Sequence, residues 1–225
     1  MDDLKGYNKN KNTKILVSAP SKSLPMYIYG VNHKKYANES IISGSSCTTT
    51  CLAPLVQILH ENYYIKSGLA TTIHSVTASQ NAVDKLKVGS RTGRTLLNNI
   101  IPSSTGAAIS IGQVIPELAG VLNAIGVRVP VQNVSLLDLT VELEECIDIT
   151  NILQELTHQS QYSYKNLLHV EENELVSSDF ISSPYTTIID ASSCMKQGGL
   201  YKFMAWYDNE YGYASNLLRL VKYIT

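Results

Sequence analysis

Cysteine is too scarce in this sequence to staple a fold. Cys47, Cys51, Cys146 and Cys194 are the only four in 225 residues, and a disulfide framework needs a shorter chain with denser pairing. No secretory leader and no apolar run of membrane-spanning length is visible, so a reducing cytoplasm is expected and a membrane role is not. Neither sign of charge is in surplus: 18 Lys and Arg stand against 19 Asp and Glu. That balance removes the electrostatic basis for binding nucleic acid or an anionic membrane surface, and confines any anion binding to local sites. Metal is not expected either, because Cys47-x3-Cys51 with His60 and His74 lacks the paired short spacings of structural zinc. No internal repeat or low-complexity tract is present, and glycine and proline are too ordinary to mark a linker. With 44% apolar and 16% charged residues, the composition is that of a soluble globular chain able to bury a sizeable core.

What is present is organised around Ser45-Ser46-Cys47-Thr48-Thr49-Thr50-Cys51, which runs into Leu52, Leu55, Val56 and Leu59 at helical spacing. The hydroxyl cluster supplies N-caps, so Cys47 is predicted at a helix N-terminus, with Pro54 deleting one early hydrogen bond. There the positive end of the helix dipole favours a thiolate, which suits a nucleophile. The plainer alternative is a small buried apolar residue, and the local pattern alone leaves both open.

Met1 to Lys14 is polar and predicted to be a disordered start. Ile15–Ser18, Met26–Val31 and Ile41–Ser43 read as short strands. Gly68 is expected to break the chain before a β-branched strand that carries His74. Ala78 to Asn99, with Lys85, Lys87, Arg91 and Arg94, is long for a connection, and such loops are usually functional. Ser103-Ser104-Thr105-Gly106 before an apolar run reads as a turn feeding a helix that ends near Pro116 or Gly120. Such a turn suits an oxyanion or phosphate, although an ordinary N-cap fits as well. Ser135, Leu137, Leu139, Val141 and Leu143 alternate along a half-buried strand. Thr150 is predicted to cap a helix through Leu156, followed by a loop from Gln159 to Tyr164. Leu175-Val176, Thr187–Ile189 and Leu200–Trp206 give further strands, and Ala214 to Ile224 a closing helix with Leu217, Leu218 and Val221 inward. Strands without βαβ rhythm imply an α+β fold, a mostly antiparallel sheet with helices on one face and an opposite face that needs cover.

Several collinear strings resemble phosphorylating glyceraldehyde-3-phosphate dehydrogenases. They are Ser46-Cys47-Thr48-Thr49, Thr71-Thr72-Ile73-His74-Ser75-Val76-Thr77, Asn99 to Ala108, Arg128-Val129-Pro130, Ser177-Ser178-Asp179-Phe180 and Trp206 to Tyr213. The resemblance implies that Cys47 attacks an aldehyde and that His74 is its base. It implies that Thr77 and Arg128 hold the phosphate of a phosphorylated aldehyde, and that Ser46, Thr48, Arg94, Thr105 and Gly106 bind attacking inorganic phosphate. Asn209 would bind the nicotinamide of NAD, with Tyr213 nearby. Homotetrameric assembly in the cytoplasm and a place in glycolysis are implied in the same way.

The family's dinucleotide-binding domain begins with a glycine-rich fingerprint, and no G-x-G-x-x-G occurs here. The expected division is therefore a disordered start over 1–13, the last strands of a truncated Rossmann-type domain over 14–46, and a catalytic domain over 47–225. Gly44 and Thr50 replace usual asparagines, Ile109 replaces a usual lysine, and the Asp84 to Arg91 loop lacks its usual tryptophan. Two readings follow. One is an NAD-linked oxidoreductase; the other is a truncated non-redox paralogue that binds phosphorylated ligands, assembles with a full-length relative or senses oxidants through Cys47.

Overall fold

A computed structural model describes residues 13–86 and 91–225. The disordered start expected for the first residues, and Lys87 of the long loop, lie outside the described residues.

Two short strands, β1 (Ile15–Val17) and β2 (Ile41–Ser43), pair in parallel. The strand expected over Met26–Val31 does not form; only Met26 bridges to Ser43. Asn32 competes for that backbone: its Oδ1 accepts from the Ile28 amide at 2.8 Å and its Nδ2 donates to the Met26 carbonyl at 2.9 Å. A side chain that satisfies both groups makes a turn cheaper than a ladder.

Helix α1 (Cys47–Tyr63) follows, with Ser46 as N-cap accepting from the Thr49 amide. It ends at Tyr64, whose φ of 52° lies in the left-handed region. The break therefore precedes Gly68, which sits inside β3 (Ile65–His74). A Cβ there would meet Leu122 Cδ2 and Val141 Cγ1 at 2.7 Å each, so the glycine permits close strand and side-chain approach.

β3 is central in the large sheet. The other members are β4 (Ile101–Ser104), β5 (Leu122–Arg128), β6 (Ser135–Leu143), β7 (Leu168–Glu171), β8 (Thr187–Asp190), β9 (Met195–Gln197) and β10 (Leu200–Tyr207), in the order β4-β5-β3-β6-β10-β8-β7 with β9 also on β10. β3 with β5 and β7 with β8 are parallel and the other pairs antiparallel, so the sheet is mixed and mostly antiparallel, as expected. β4, β5, β7 and β9 were not foreseen, and Leu175-Val176 is loop rather than strand.

The β6 alternation holds: Ser135, Leu137, Leu139, Val141 and Leu143 are buried. The four apolar ones share one core with Leu52, Leu55, Val56 and Leu59 of α1, joined by Ile111 of α2 (Ala107–Val114) and Ile152 and Leu156 of α3 (Ile149–Gln161). Burying each such side chain contributes about 2 kcal/mol. Asp148, not Thr150, stands at the N-cap of α3, and the helix continues through Gln161 where a loop was expected. On the opposite sheet face Leu69 and Ile125 are exposed.

The closing helix, α4 (Tyr211–Ile224), buries Gly212, Asn216 and Leu220 and leaves Leu218 and Val221 exposed, contrary to the pattern reading. Asn216 turns inward because the Tyr29 backbone needs it: Oδ1 accepts from Tyr29 N at 3.2 Å and Nδ2 donates to Tyr29 O at 3.0 Å. Leu220 joins Tyr27 and Ile42 in a second small core that ties α4 to the β1–β2 pair. Leu217 packs where a Cβ on Gly44 would stand, which accounts for glycine there.

Asp208 anchors the turn between β10 and α4. Its carboxylate accepts from Asn133 Nδ2 (3.0 Å), Ser182 N (2.8 Å), Glu210 N (2.9 Å) and Tyr211 N (2.8 Å). The residue is 1% exposed, so Asp208→Ala strands these donors away from water. We expect a loss of about 3–5 kcal/mol in urea unfolding, and a loss below about 1 kcal/mol would contradict this bracing role.

Candidate active site

Cys47 is the first residue of α1, and His74 the last of β3. The helix start and the strand end bring Cys47 Sγ within 3.4 Å of His74 Nε2. His74 Nδ1 lies 2.8 Å from the Ser75 carbonyl, an acceptor only, so the proton sits on Nδ1 and Nε2 is left as a base facing the thiol. β3 and β5 run in parallel register with His74 opposite Arg128, whose Nη1 donates to the same Ser75 carbonyl at 3.2 Å.

Behind this pair lies a buried hydroxyl network. Tyr207 Oη meets Thr48 Oγ1 at 3.0 Å and Thr72 Oγ1 at 2.6 Å, and its ring stands edge-on to the His74 imidazole. Ser45, with φ 66°, turns the chain into the N-cap, and its carbonyl accepts from Tyr213 Oη at 2.8 Å. Among the described residues the Ser45 hydroxyl is buried without a partner.

A cavity of about 240 Å³ opens in front. Ser46, Cys47, Thr48 and His74 form one side, and Ser104, Thr105, Gly106 and Arg128 the other. The second wall is the β4–α2 turn, where Gly106 leaves open space and Thr105 Oγ1 accepts from the Ala107 amide at 3.3 Å. Hydroxyls, a guanidinium and the amides of two helix starts converge on one volume, an arrangement suited to a compact oxyanion.

Electrostatics favour the neutral pair. Burial pushes the Cys47 thiol up, against the pull of Thr48 hydrogen bonds and Arg128, so desolvation outweighs the thiolate preference read from the helix dipole. Burial and the Arg128 charge depress His74 to about 4, with the Ser75 carbonyl acting in the opposite sense. The linked stability effect has a definite sign. An unfolded histidine titrates near 6.5 and this one near 4, so between those values the unfolded state binds more protons and stability falls as pH drops. The loss across that window is about 3 kcal/mol at most. Wild-type melting should decline from pH 6.5 to 4 more steeply than that of His74→Gln; parallel slopes would contradict the buried neutral imidazole.

The structure thus brings Ser46, Cys47, Thr48, His74, Thr105, Gly106 and Arg128 around one cavity. Asn209 and Tyr213 join at its back through Ser75 and Ser45. Thr77 and Arg94 do not line the cavity. Thr77 Oγ1 pairs with Ser79 Oγ at 3.0 Å, and Arg94 is exposed and bound to Asp84 at 3.2 Å. The sequence reading did not single out the roles of Tyr207, Thr72, Ser75 and Ser135. The signal for Tyr207 was a polar end on the buried stripe Tyr201, Phe203, Ala205, Tyr207.

A cysteine at a helix start, a neutral imidazole in reach and a pocket suited to an oxyanion stand together on an α+β sheet. Residues 46–209 match the model of the glyceraldehyde 3-phosphate dehydrogenase C-terminal domain, and the chain belongs to that family. It is 44% identical over 218 residues to glyceraldehyde-3-phosphate dehydrogenase 1 of Caenorhabditis elegans, with 94% of this chain and 63% of the relative covered. The cytosolic glyceraldehyde-3-phosphate dehydrogenase of Chlamydomonas reinhardtii is 44% identical over 215 residues, at the same coverages. Glyceraldehyde-3-phosphate dehydrogenase of Chlamydia muridarum is 42% identical over 228 residues, covering 99% of this chain and 68% of the relative. The chain thus spans about 63% of the length of the first two. Among the described residues no helix is long and apolar enough to cross a membrane.

Proposed function

We propose that this chain carries the acyl-transfer chemistry of a phosphorylating aldehyde dehydrogenase acting on a phosphorylated aldehyde of the glyceraldehyde 3-phosphate class. The Cys47 Sγ to His74 Nε2 contact of 3.4 Å, with Nδ1 locked as donor, carries the reading. Cys47 sulfur forms a bond to the aldehyde carbon while its proton passes to His74 Nε2, giving a thiohemiacetal. The proton passes from His74 to the former carbonyl oxygen, and His74, neutral again, would take that hydroxyl proton back while hydride leaves the carbon for a bound acceptor, giving an acyl-thioester. Inorganic phosphate held by Thr105, Gly106 and the Ser46–Thr48 hydroxyls attacks the thioester carbon, the C–S bond breaks, and the acyl phosphate leaves with Cys47 restored. Arg128 suits the substrate phosphate; Thr77 and Arg94 belong to this assignment by resemblance alone.

NAD is the acceptor in this reading and would supply hydride acceptance when bound. Asn209 fits such a group: its amide oxygen accepts from the Ser75 and Ser135 hydroxyls, and its amide nitrogen has no acceptor among the described residues. Tyr213 supports the loop beside it. Residues 14–46, with the β1–β2 parallel pair, correspond in this reading to the end of the dinucleotide-binding domain and 47–225 to the catalytic domain. Association with further copies in the cytoplasm is part of the proposal, supported by the exposed Leu69 and Ile125 on the open sheet face. Absorbance of reduced nicotinamide, with the chain, NAD, glyceraldehyde 3-phosphate and phosphate, tests the reading. Phosphate-dependent turnover is expected, and a folded chain without turnover sinks the redox part.

A further inference from the structure

Beside the catalytic cavity lies a second, smaller one of about 160 Å³. The two share Pro20 and Gly106 as walls, so they join at the gap between that proline and the start of α2. The gap is open, because a Cβ added at Gly106 would meet nothing within 4 Å. Beyond it one wall is a face of α2, on which Gly106, Ile109, Ser110 and Gln113 recur at helical spacing. At a rise of about 1.5 Å per residue, that stripe makes a trough about 10 Å long.

The other wall is the segment from Pro20 to Lys22, and it is held in place from behind. Ser43, with 0% exposure, donates its hydroxyl to the Ala19 carbonyl at 2.6 Å, and Ser21 Oγ accepts from the Ser23 and Leu24 amides at 3.2 and 3.1 Å. Both walls therefore stand before a ligand arrives, which lowers the ordering cost of binding one. The chemistry of the two cavities differs. Hydroxyls and Arg128 ring the first, whereas the lining of the second is mostly apolar, with Lys22 its one charge. A single exposed isoleucine on a surface signifies little. Ile109, however, is 67% exposed inside a trough that it lines with Pro20 and that opens into the cavity of Cys47, while its polar neighbour Ser110 is 4% exposed. A ligand held at Cys47 reaches Ile109 by passing a chain through the gap, and covering that side chain is favourable.

Resting on the nucleophile reading of Cys47 and going beyond it, we propose that this trough is a subsite for the aliphatic part of a ligand whose reactive carbon is held at Cys47. The class it takes is an aldehyde or acyl group bearing a short unbranched alkyl chain, and Ile109 is the residue that sets the preference. Two directions then lead away from one sulfur: an anionic group turns toward Arg128, and an apolar chain runs along α2.

The probes are N-alkyl iodoacetamides from methyl to hexyl, applied to the full chain. The rate at Cys47 is read by peptide mapping, with the exposed thiol of Cys146 as internal reference for the reagent's own reactivity. The trough covers one side of a chain, so the Cys47 rate relative to Cys146 should rise about 2-fold per methylene, or about 8-fold from methyl to butyl. Gln is a good helix former, and in Ile109→Gln the methyl-to-butyl rise should shrink to about 2-fold or less, with the rate for unsubstituted iodoacetamide kept within about 2-fold of wild type. Equal relative rates from methyl to hexyl in wild type overturn the subsite and leave the nucleophile standing. A rise that survives undiminished in Ile109→Gln overturns the assignment to this trough. A Cys47 that iodoacetamide itself does not alkylate overturns the nucleophile reading and the subsite with it.

Discussion

Cys47→Ser is expected to lower phosphate-dependent oxidation by on the order of 10³-fold or more, with the fold intact. The substitution exchanges sulfur for oxygen at the first residue of α1, where Ser46 and not Cys47 supplies the cap, so the helix start is unaffected. What is lost is the nucleophile: a hydroxyl at that point stays protonated across the accessible pH range, and His74 faces it from a site that burial has made a weak base, near 4. Turnover retained at even a tenth of wild type would move the chemistry to another residue. Cys51 is not a substitute, being fully buried.

The second large effect belongs to His74. His74→Gln should slow alkylation of Cys47 by iodoacetamide by about 100-fold at neutral pH. The pH dependence distinguishes a base from a packing residue. With the imidazole depressed to about 4, the base is available over the whole neutral range, so the wild-type advantage should persist there. It should vanish only at alkaline pH, where thiolate forms unaided; burial pushes that point above the ordinary thiol range. A constant ratio of the two rates at every pH would mean that His74 only shapes the pocket.

The sequence announced what local pattern can announce. The β6 alternation and an apolar helix capped from the hydroxyl cluster are short-range regularities, and both form, with Ser46 as the cap. The misreadings have physical causes of their own. Met26–Val31 has strand composition, but Asn32 satisfies its backbone as a turn. Asn216 is polar, so a hydrophobic pattern turns α4 by the wrong residues, while the Tyr29 backbone draws it inward. Leu168–Glu171 holds a histidine and a glutamate and becomes a strand by pairing alongside β8. In the site, Cys47 and His74 stand in strings that resemble a known family and were legible. Tyr207 reaches Thr72 across 135 residues and Ser75 reaches Asn209 across 134. Such pairings are made by the sheet and leave no local signature.

The central claim, that Cys47 is an acyl-accepting nucleophile in this chain as it stands, does not depend on a nicotinamide. An acyl phosphate transfers its acyl group to a thiolate with release of inorganic phosphate: a C–S bond forms, a C–O bond breaks, and no electrons are exchanged with a cofactor. The direct measurement is the intact mass of the chain after brief exposure to an acyl phosphate and acid quench, followed by peptide mapping and hydroxylamine treatment. We predict one acyl group, on Cys47, removed by hydroxylamine and absent from Cys47→Ser. A folded chain that acquires no acyl group, or acquires it equally in Cys47→Ser, would contradict the account.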